Sequence, residues 1–458
     1  MKPKPRFNQK INLTIQRLGI YGEGVGYWHG YTVFVEGALP GEVIQARLCE
    51  RKKAYGRAAT LSCSRLSPHR VLPSCPLFGR CGGCQIMHLD YNEQLVLKRQ
   101  RVIDSLERIG KLKGIEVLPC LPSPSSLHYR NKIQLLVVPS ENGLKIGLYA
   151  RNSHDLVEME KCFIHAPLGE KVLERLLPLL KASSVTAYDP KTGSGELRYL
   201  LIKSALSTDQ AMVILVTKGA PSRELCAFAH ALKETCGEVR GVVRNENESA
   251  DNTVLGSSYQ LLVGEGAIEE RLLGLSFKVS PASFFQVNPL QAEVLYKQAL
   301  SLADLQGDET LLDAYCGVGA LSLLMAQRAG KVLGIDCVSQ AIADAKNNAQ
   351  NNQICNVEFA CGLAEEFIPT LRSLDVALLN PPRRGCDSSL LQRLSELAPR
   401  RILYISCDPA TLARDLAFLN ERGFSIDTVQ PFDMFPQTAH VETLVCLDRD
   451  FVQSRVTL

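Results

Sequence analysis

Residues 311–323 read LLDAYCGVGALSL. An apolar, strand-like run ends at Tyr315; Gly317 and Gly319 follow, and an apolar helix-forming run starts at Ala320. Glycines directly after a strand let the backbone approach a ligand and let the next helix start close to the sheet. The flanking sequence repeats the pattern. A helix over 289–303 leads into strand TLLDAY, then helix ALSLLMAQRA, strand KVLGID, a helix over 339–350, strand VEFA and a helix over 363–371. Strand DVALLN, a helix over 388–397, strand RILYIS and a helix over 409–421 follow, and SIDTVQPF and ETLVCLDRD close the chain as two strands. Such alternation predicts a parallel, doubly wound sheet with an antiparallel end.

In this architecture ligands bind at the carboxyl edge of the strands. Asp336 ends KVLGID, about 20 residues after the glycines, where an acidic side chain accepts hydrogen bonds from ribose hydroxyls. No G-x-G-x-x-G is present, which favours S-adenosylmethionine (SAM) over NAD as the nucleoside ligand. In LLNPPRRG, Asn380-Pro381-Pro382 makes a rigid lip at the same edge. An Asn or Asp before two prolines is similar to the (N/D)-P-P-(Y/F/W) motif of amino-group methyltransferases. Arg383 stands where that motif has its stacking aromatic, which speaks against methylation of an adenine or cytosine amino group.

Cys407 ends the next strand, in LYISCDPATLARDL. The Asp408-Pro409 helix start that follows is expected to favour its thiolate. A thiolate at that edge suits pyrimidine chemistry. Carbon 5 of a pyrimidine is a poor nucleophile, and thiolate addition to carbon 6 makes the ring an enolate that attacks a methyl donor. The carbon 5 proton then needs a base. FPQTAHVETLVCL offers Glu442 and His440, and strand alternation favours Glu442.

A chain of 458 residues implies two to four domains. No apolar stretch approaches the ~20 residues a membrane helix needs, and the basic start MKPKPRFNQK lacks the apolar core of a secretory signal, so the cytoplasm is the expected compartment. Residues 1–70 hold 12 Lys/Arg against 4 Asp/Glu, a net of +8, so the rest carries about −5 of the overall +3. A basic N-terminal module fits phosphate contact, and equally a solvated surface. Residues 10–62 read as five short strands of a small barrel, which Arg51, Lys52, Lys53 and Arg57 would decorate. Residues 127–280 read as an α+β unit with a helix near 221–236 and the basic HYRNK, which contributes Arg130 and Lys132.

Sixteen cysteines scattered through apolar runs indicate core thiols in a reducing compartment. SCPLFGRCGGCQIMHL is different: Cys75, Cys81 and Cys84 form C-x5-C-x2-C, and EMEKCFIH supplies Cys162 as a distant fourth. Four thiolates suit zinc or an iron–sulfur cluster, and spacing leaves both open, with His88 as an alternative zinc ligand.

Taken together, GEGVGYWHGYTVFVEGALPGE, SFFQVNP, LLDAYCGVGALSL, NPPRRG, SCDPATLARDL and HVET resemble, in order and over nearly the whole chain, the RNA (uracil-5)-methyltransferase family of the TrmA/RlmD type. The resemblance implies three units: an OB-like TRAM barrel that binds RNA (1–64), a central α+β domain with an iron–sulfur loop (65–280) and a Rossmann-like class I SAM-dependent methyltransferase domain (281–458). It implies Cys407 as nucleophile, Glu442 as base, and Gln286, Tyr315, Gly317, Gly319, Asp336 and Asn380 at SAM. It also implies a [4Fe-4S] cluster on Cys75, Cys81, Cys84 and Cys162, and Phe284 stacking on a flipped base. Phosphates would meet Arg130, Lys132, Arg51, Lys52 and Lys53. The expected product is 5-methyluridine, in 23S ribosomal RNA or in the tRNA T-loop, with 23S favoured, and a monomer without membrane attachment is expected. Asn380 stands where many members carry Asp, Asp408 where many carry Asn, and Asp336 where Glu is common. A non-catalytic RNA-binding or iron–sulfur scaffold is the competing class, and methylation of another base a third.

Overall fold

A computed structural model describes residues 4–141, 143–249, 251 and 253–449. Five strands, β1 (Lys10–Leu18), β2 (Gly24–Trp28), β3 (Tyr31–Val35), β4 (Val43–Arg51) and β5 (Tyr55–Arg65), close into a barrel in the order β1-β2-β3-β5-β4. Alternate residues Ile11, Leu13 and Ile15 of β1 point inward and meet Val33, Val35, Ile44, Ala46 and Leu48, which is the period-2 pattern of a strand with one wet face.

After the cysteine loop comes α1 (Tyr91–Arg108), capped by Asp90, whose carboxylate accepts from the Asn92 N–H at 3.0 Å. The next strands are β6 (Lys132–Ser140), β7 (Gly143–Tyr149) and β8 (Leu156–Glu158), followed by α2 (Pro167–Ala182), β9 (Leu197–Ala205), β10 (Gln210–Thr217), α3 (Arg223–Thr235), β11 (Val239–Glu246) and β12 (Ser258–Gly264). They make one sheet in the order β12-β11-β10-β9-β6-β7-β8, with α2 and α3 on one face. Every residue of β9 is buried because its other face is covered too. A hairpin, β13 (Ile268–Leu272) and β14 (Leu275–Val279), covers it: Ile268 and Val279 join the central core, while Leu272 and Phe277 join the C-terminal one. The hairpin thus mortars the two domains together.

The C-terminal domain runs α4 (Pro289–Ala303), β15 (Thr310–Asp313), α5 (Ala320–Ala326), β16 (Lys331–Asp336), α6 (Ser339–Asn351), β17 (Val357–Cys361), α7 (Ala364–Phe367) and β18 (Val376–Leu379). It ends with α8 (Ser388–Leu397), β19 (Arg401–Ser406), α9 (Pro409–Asn420), β20 (Phe424–Phe432) and β21 (Glu442–Arg449). The sheet order is β17-β16-β15-β18-β19-β21-β20, parallel except for the antiparallel β21, as the alternation predicts. Strand order reverses between β15 and β18, the position at which an open α/β sheet forms its ligand crevice. The helix expected over 363–371 is instead the single turn α7 and a 3₁₀ turn at Ile368–Thr370, because Pro369 removes a backbone donor.

Residues 91–121 precede the central strands in sequence but lie on the C-terminal sheet. Val102, Leu106 and Val117 belong to the core beneath α8 and α9, and the Leu118 and Leu121 N–H groups donate to Val429 and Pro431 of β20, each at 2.9 Å. Among the described residues, no helix is long and apolar enough to cross a membrane.

Candidate active site

One cavity of 880 Å³ collects most of the residues singled out by sequence: Gln286, Tyr315, Gly317, Asp336, Asn380, Cys407 and Glu442, with Phe284 and Arg130 and all four of Cys75, Cys81, Cys84 and Cys162. The sheet topology explains the C-terminal part. Asp336, Asn380 and Cys407 each stand at the carboxyl end of a parallel strand or just past it, and Glu442 opens the antiparallel strand that runs back beside β19.

The glycine loop is held by Asp336. Its Oδ2 accepts the Gly317 N–H at 3.0 Å and its Oδ1 the Val338 N–H at 2.9 Å. Gly317 lines the cavity, whereas Gly319 does not. Gly319 has φ +82°, and a Cβ there would stand 2.8 Å from Cζ of Phe359, so its work is the left-handed turn and the close seating of α5. Gln286 is buried, and its backbone carbonyl accepts from the Asn131 side chain at 3.1 Å. Phe284 remains 65% exposed at the rim, an unusual state for a phenylalanine that has cavities on both sides of it.

One residue escaped the sequence reading. Asp313 closes β15, is 1% exposed, and lines a 50 Å³ recess that shares Gln286, Tyr315, Gly317 and Asn380 with the main cavity. Its Oδ2 accepts from the Ser322 hydroxyl at 2.6 Å, but Oδ1 has no partner. Burial pushes this carboxyl up to about 7, with the Ser322 hydrogen bond opposing. Its signal in the sequence was an acidic residue interrupting an apolar strand directly before the glycine loop.

Cys407 is half-buried, and its thiol is pushed up to about 11, first by burial and then by the neighbouring Glu442 carboxylate, with the Arg383 guanidinium opposing. This corrects the expectation that the helix start would favour the thiolate. The first N–H groups of α9 are taken by the side chain of Asp408, whose Oδ1 accepts from Ala410 at 2.8 Å and Thr411 at 3.2 Å, so the thiol does not receive them. Glu442 is 4% exposed, and burial raises it to about 8, again with Arg383 opposing. His440 lines the same cavity, lowered to about 4 by burial and by the cations Arg383, Arg101 and Lys98. A carboxyl near 8 is poised to exchange a proton at neutral pH; an imidazole near 4 is not.

The four cysteine thiols enter from two segments. Cys81 is set by pairing with Ala150 beyond β7, and the Cys162 N–H donates to Glu170 Oε1 at 3.2 Å. Burial raises Cys84 strongly, and the charges of Cys162, Cys81 and Cys75 add to it. Cys162 is likewise pushed up to about 11 by burial. Four thiols lining one cavity are a soft donor set, whose chemistry suits zinc or iron–sulfur. His88, the alternative zinc ligand, is not part of this lining; it is buried against Phe78, ring centroids 5.0 Å apart.

The basic residues divide. Arg130 lines the cavity. Lys132 instead lines a separate 40 Å³ cavity behind Phe284, where burial lowers its pKa. Arg51, Lys52 and Lys53 lie at the β4–β5 turn outside the cavity, and Lys52 pairs with Glu50 at 2.9 Å. Arg57, by contrast, lines a 660 Å³ groove with Tyr21, Tyr149 and Arg151 that meets the cavity at Gln85 and His440.

Comparison with known proteins agrees with this architecture. Residues 257–450 match the family described as tRNA (Uracil-5-)-methyltransferase, and residues 7–61 match the TRAM domain. Proteins named "Uncharacterized RNA methyltransferase" from Clostridium tetani and Listeria innocua are each 40% identical, over 444 and 447 residues, covering 96% of this chain and 96% and 98% of theirs. The crystal structure of Pyrococcus abyssi tRNA (uracil-54, C5)-methyltransferase in complex with S-adenosyl-L-homocysteine superposes with a TM-score of 0.75 at 28% identity, covering 95% of this chain and 100% of that chain. The chain belongs to the RNA (uracil-5-)-methyltransferase family and is a SAM-dependent RNA methyltransferase with an N-terminal TRAM domain.

Proposed function

We propose that this enzyme methylates carbon 5 of one uridine in 23S ribosomal RNA, acting as a cytoplasmic monomer through a covalent bond between Cys407 and carbon 6. The observation that carries the reading is the convergence of Cys407 and Glu442 on the cavity that also receives the glycine loop, Asp336 and Asn380. The Cys407 thiolate adds to carbon 6, and the ring electrons move onto the carbon 4 oxygen as an enolate. Carbon 5 then takes the electrophilic methyl group that bound SAM supplies. Glu442 removes the carbon 5 proton, the sulfur–carbon bond breaks, and the pyrimidine and the thiolate are restored. Arg383 favours both anionic side chains, since its guanidinium lowers each of their pKa values.

The residues present suit SAM. Asp336 would meet the ribose, Asn380, Gln286 and Tyr315 line the cavity, and Oδ1 of Asp313, which has no hydrogen-bond partner, would accept from a cation such as the ammonium of the methionine part. Phe284 at the rim offers a face for an extruded base, and Arg130 and Arg57 a path for phosphates. The thiols of Cys75, Cys81, Cys84 and Cys162, which line the same cavity, suit a [4Fe-4S] cluster, which would hold the loop without taking part in methyl transfer.

Mapping 5-methyluridine in RNA from cells with and without the gene tests the target. Loss from 23S ribosomal RNA alone supports the reading. Loss from the tRNA T-loop supports the second reading, which the Pyrococcus abyssi tRNA enzyme favours; unchanged 5-methyluridine everywhere contradicts both.

A further inference from the structure

Glu442 opens β21 at the end of a hairpin connection, residues 433–441, that leaves β20 at Phe432. Such a loop should be mobile, yet nearly every polar group in it is held. From α1, Lys98 pairs with Asp433 and donates to the Phe435 carbonyl at 3.1 Å, and Arg101 donates to the Ala439 carbonyl. Gln94, one turn earlier on the same face, makes a reciprocal pair with Gln437: its Nε2 donates to Gln437 Oε1 at 3.0 Å, and its Oε1 accepts the Gln437 N–H at 3.1 Å. From the cysteine loop, the Gln85 and Ile86 N–H groups both donate to the Gln437 carbonyl at 3.1 Å, and Gln85 Oε1 accepts the Ala439 N–H at 3.4 Å. Tyr129 donates to the Pro436 carbonyl at 3.0 Å and Asn288 to the Met434 carbonyl at 3.2 Å.

Three features set this apart from ordinary loop packing. Gln94 and Lys98 are 1% and 2% exposed, so a glutamine and an ammonium have been buried on the face of α1 that meets the loop. Asp433 is fully buried as well, and buried ion pairs bring little net stability compared with apolar packing, which leaves specification of geometry as their best-attested use. Finally, Gln437 holds φ +68°, a left-handed conformation costly for a residue with a side chain, and its backbone N–H, its carbonyl and both side-chain polar atoms are all engaged.

We propose that the Gln94–Lys98 face of α1, together with Gln85 beside the cysteine cluster, is a positioning device that fixes the 433–441 connection and through it the carboxylate of Glu442. The device makes Gln94 and Lys98, which lie outside the cavity lining, positioning residues, and Gln85, at the cavity wall, a third. It also gives the cysteine loop a reason to share the cavity, since Gln85 follows Cys84 directly and grips the segment that delivers the base. The inference rests on reading Glu442 as the base.

The test separates steps that need the base from those that do not. Formation of a covalent complex with 5-fluorouridine RNA and SAM requires Cys407 and methyl transfer but stops before proton removal. Gln94→Met and the paired Lys98→Met/Asp433→Asn variant should therefore trap this RNA at the wild-type rate. Their turnover on unmodified RNA should fall about 10- to 100-fold, with KM for RNA and SAM unchanged and a covalent adduct accumulating. If a variant unfolds, Gln437→Gly replaces it, because glycine keeps the φ +68° backbone while losing the side-chain bonds. Parallel loss of trapping and turnover, or unchanged turnover, overturns the proposal. Glu442→Gln is the control: if it accumulates no adduct, the base assignment fails, and if it does so while the α1 variants do not, only the positioning inference fails.

Discussion

Cys407 and Glu442 stand at one edge of the C-terminal sheet on hydrogen-bonded antiparallel strands, Ser406 lying opposite Thr443 in the register. The residue after the last position of β19 therefore faces the residue that opens β21, and the Glu442 carboxylate raises the pKa of the Cys407 thiol in the cavity they share. In the proposed mechanism the two groups divide the labour of bond making and proton removal. Cys407→Ala should abolish turnover by about 10³-fold or more, whereas Glu442→Gln should retain the first half of the reaction and leave RNA bound to protein. Denaturing gels of reactions with labelled RNA check both.

Activity should climb with pH through about 8 and on toward about 11, because Glu442 works as a carboxylate whose proton burial holds to about 8, and Cys407 as a thiolate whose proton burial holds to about 11. Stability should move the other way. The folded-state pKa of Glu442 lies above its unfolded value of 4.5, so burial of the neutral acid costs little below 4.5 and folding stability is lost as pH rises toward about 8. Glu442→Gln should therefore stabilise the fold at pH 9, by on the order of 5 kcal/mol, and hardly at pH 4. Thermal melts at the two pH values check the sign.

Arg383 is the cation that lowers both Cys407 and Glu442. Arg383→Ala should raise both pKa values, shifting the rising limb of the pH–rate profile to higher pH and reducing kcat/KM at pH 7 by about tenfold. A pH–rate profile that superposes on the wild type would remove Arg383 from the account.

Gly319→Ala should cost roughly 2–3 kcal/mol of stability, because the backbone is left-handed there and the new Cβ would meet Phe359. Urea midpoints measure it. Gly317→Ala is the contrast: its φ is +53°, but nothing stands within 4 Å of a Cβ, so its larger effect should be on SAM binding, measured by calorimetry.

Protein purified without oxygen should carry about four iron and four sulfide per chain, and Cys81→Ser or Cys162→Ser should lose both. Elemental analysis returning one zinc per chain instead would replace the cluster with a tetrahedral metal site.

The sequence made the barrel and the doubly wound sheet legible because their signals are local: alternation in INLTIQ, glycines after a strand, strands and helices taking turns. Cys407, Asn380 and Asp336 followed, since in that fold a strand's end is a position in space. Three things were not local. α1 reads as a charged helix, and only the tertiary structure shows that Gln94 and Lys98 are buried and that Val102 and Leu106 pack on a sheet formed by residues 200 and more positions away. The state of the Cys407 thiol depends on burial and on the Glu442 carboxylate across the strand pair, which no local motif reveals. Lys132 sits in a basic stretch but turns into a small interior cavity, because strand β6 alternates its faces.

The account's central claim is a sulfur–carbon bond from Cys407 to the target ring. RNA isolated from cells lacking the gene and grown with 5-fluorouracil, incubated with the protein and SAM, should yield a stable conjugate. Mass spectrometry of the digested conjugate should place a methylated fluorouridine on the peptide containing Cys407, and Cys407→Ala should give none. A conjugate on another cysteine, or one that forms equally well with Cys407→Ala, would contradict it.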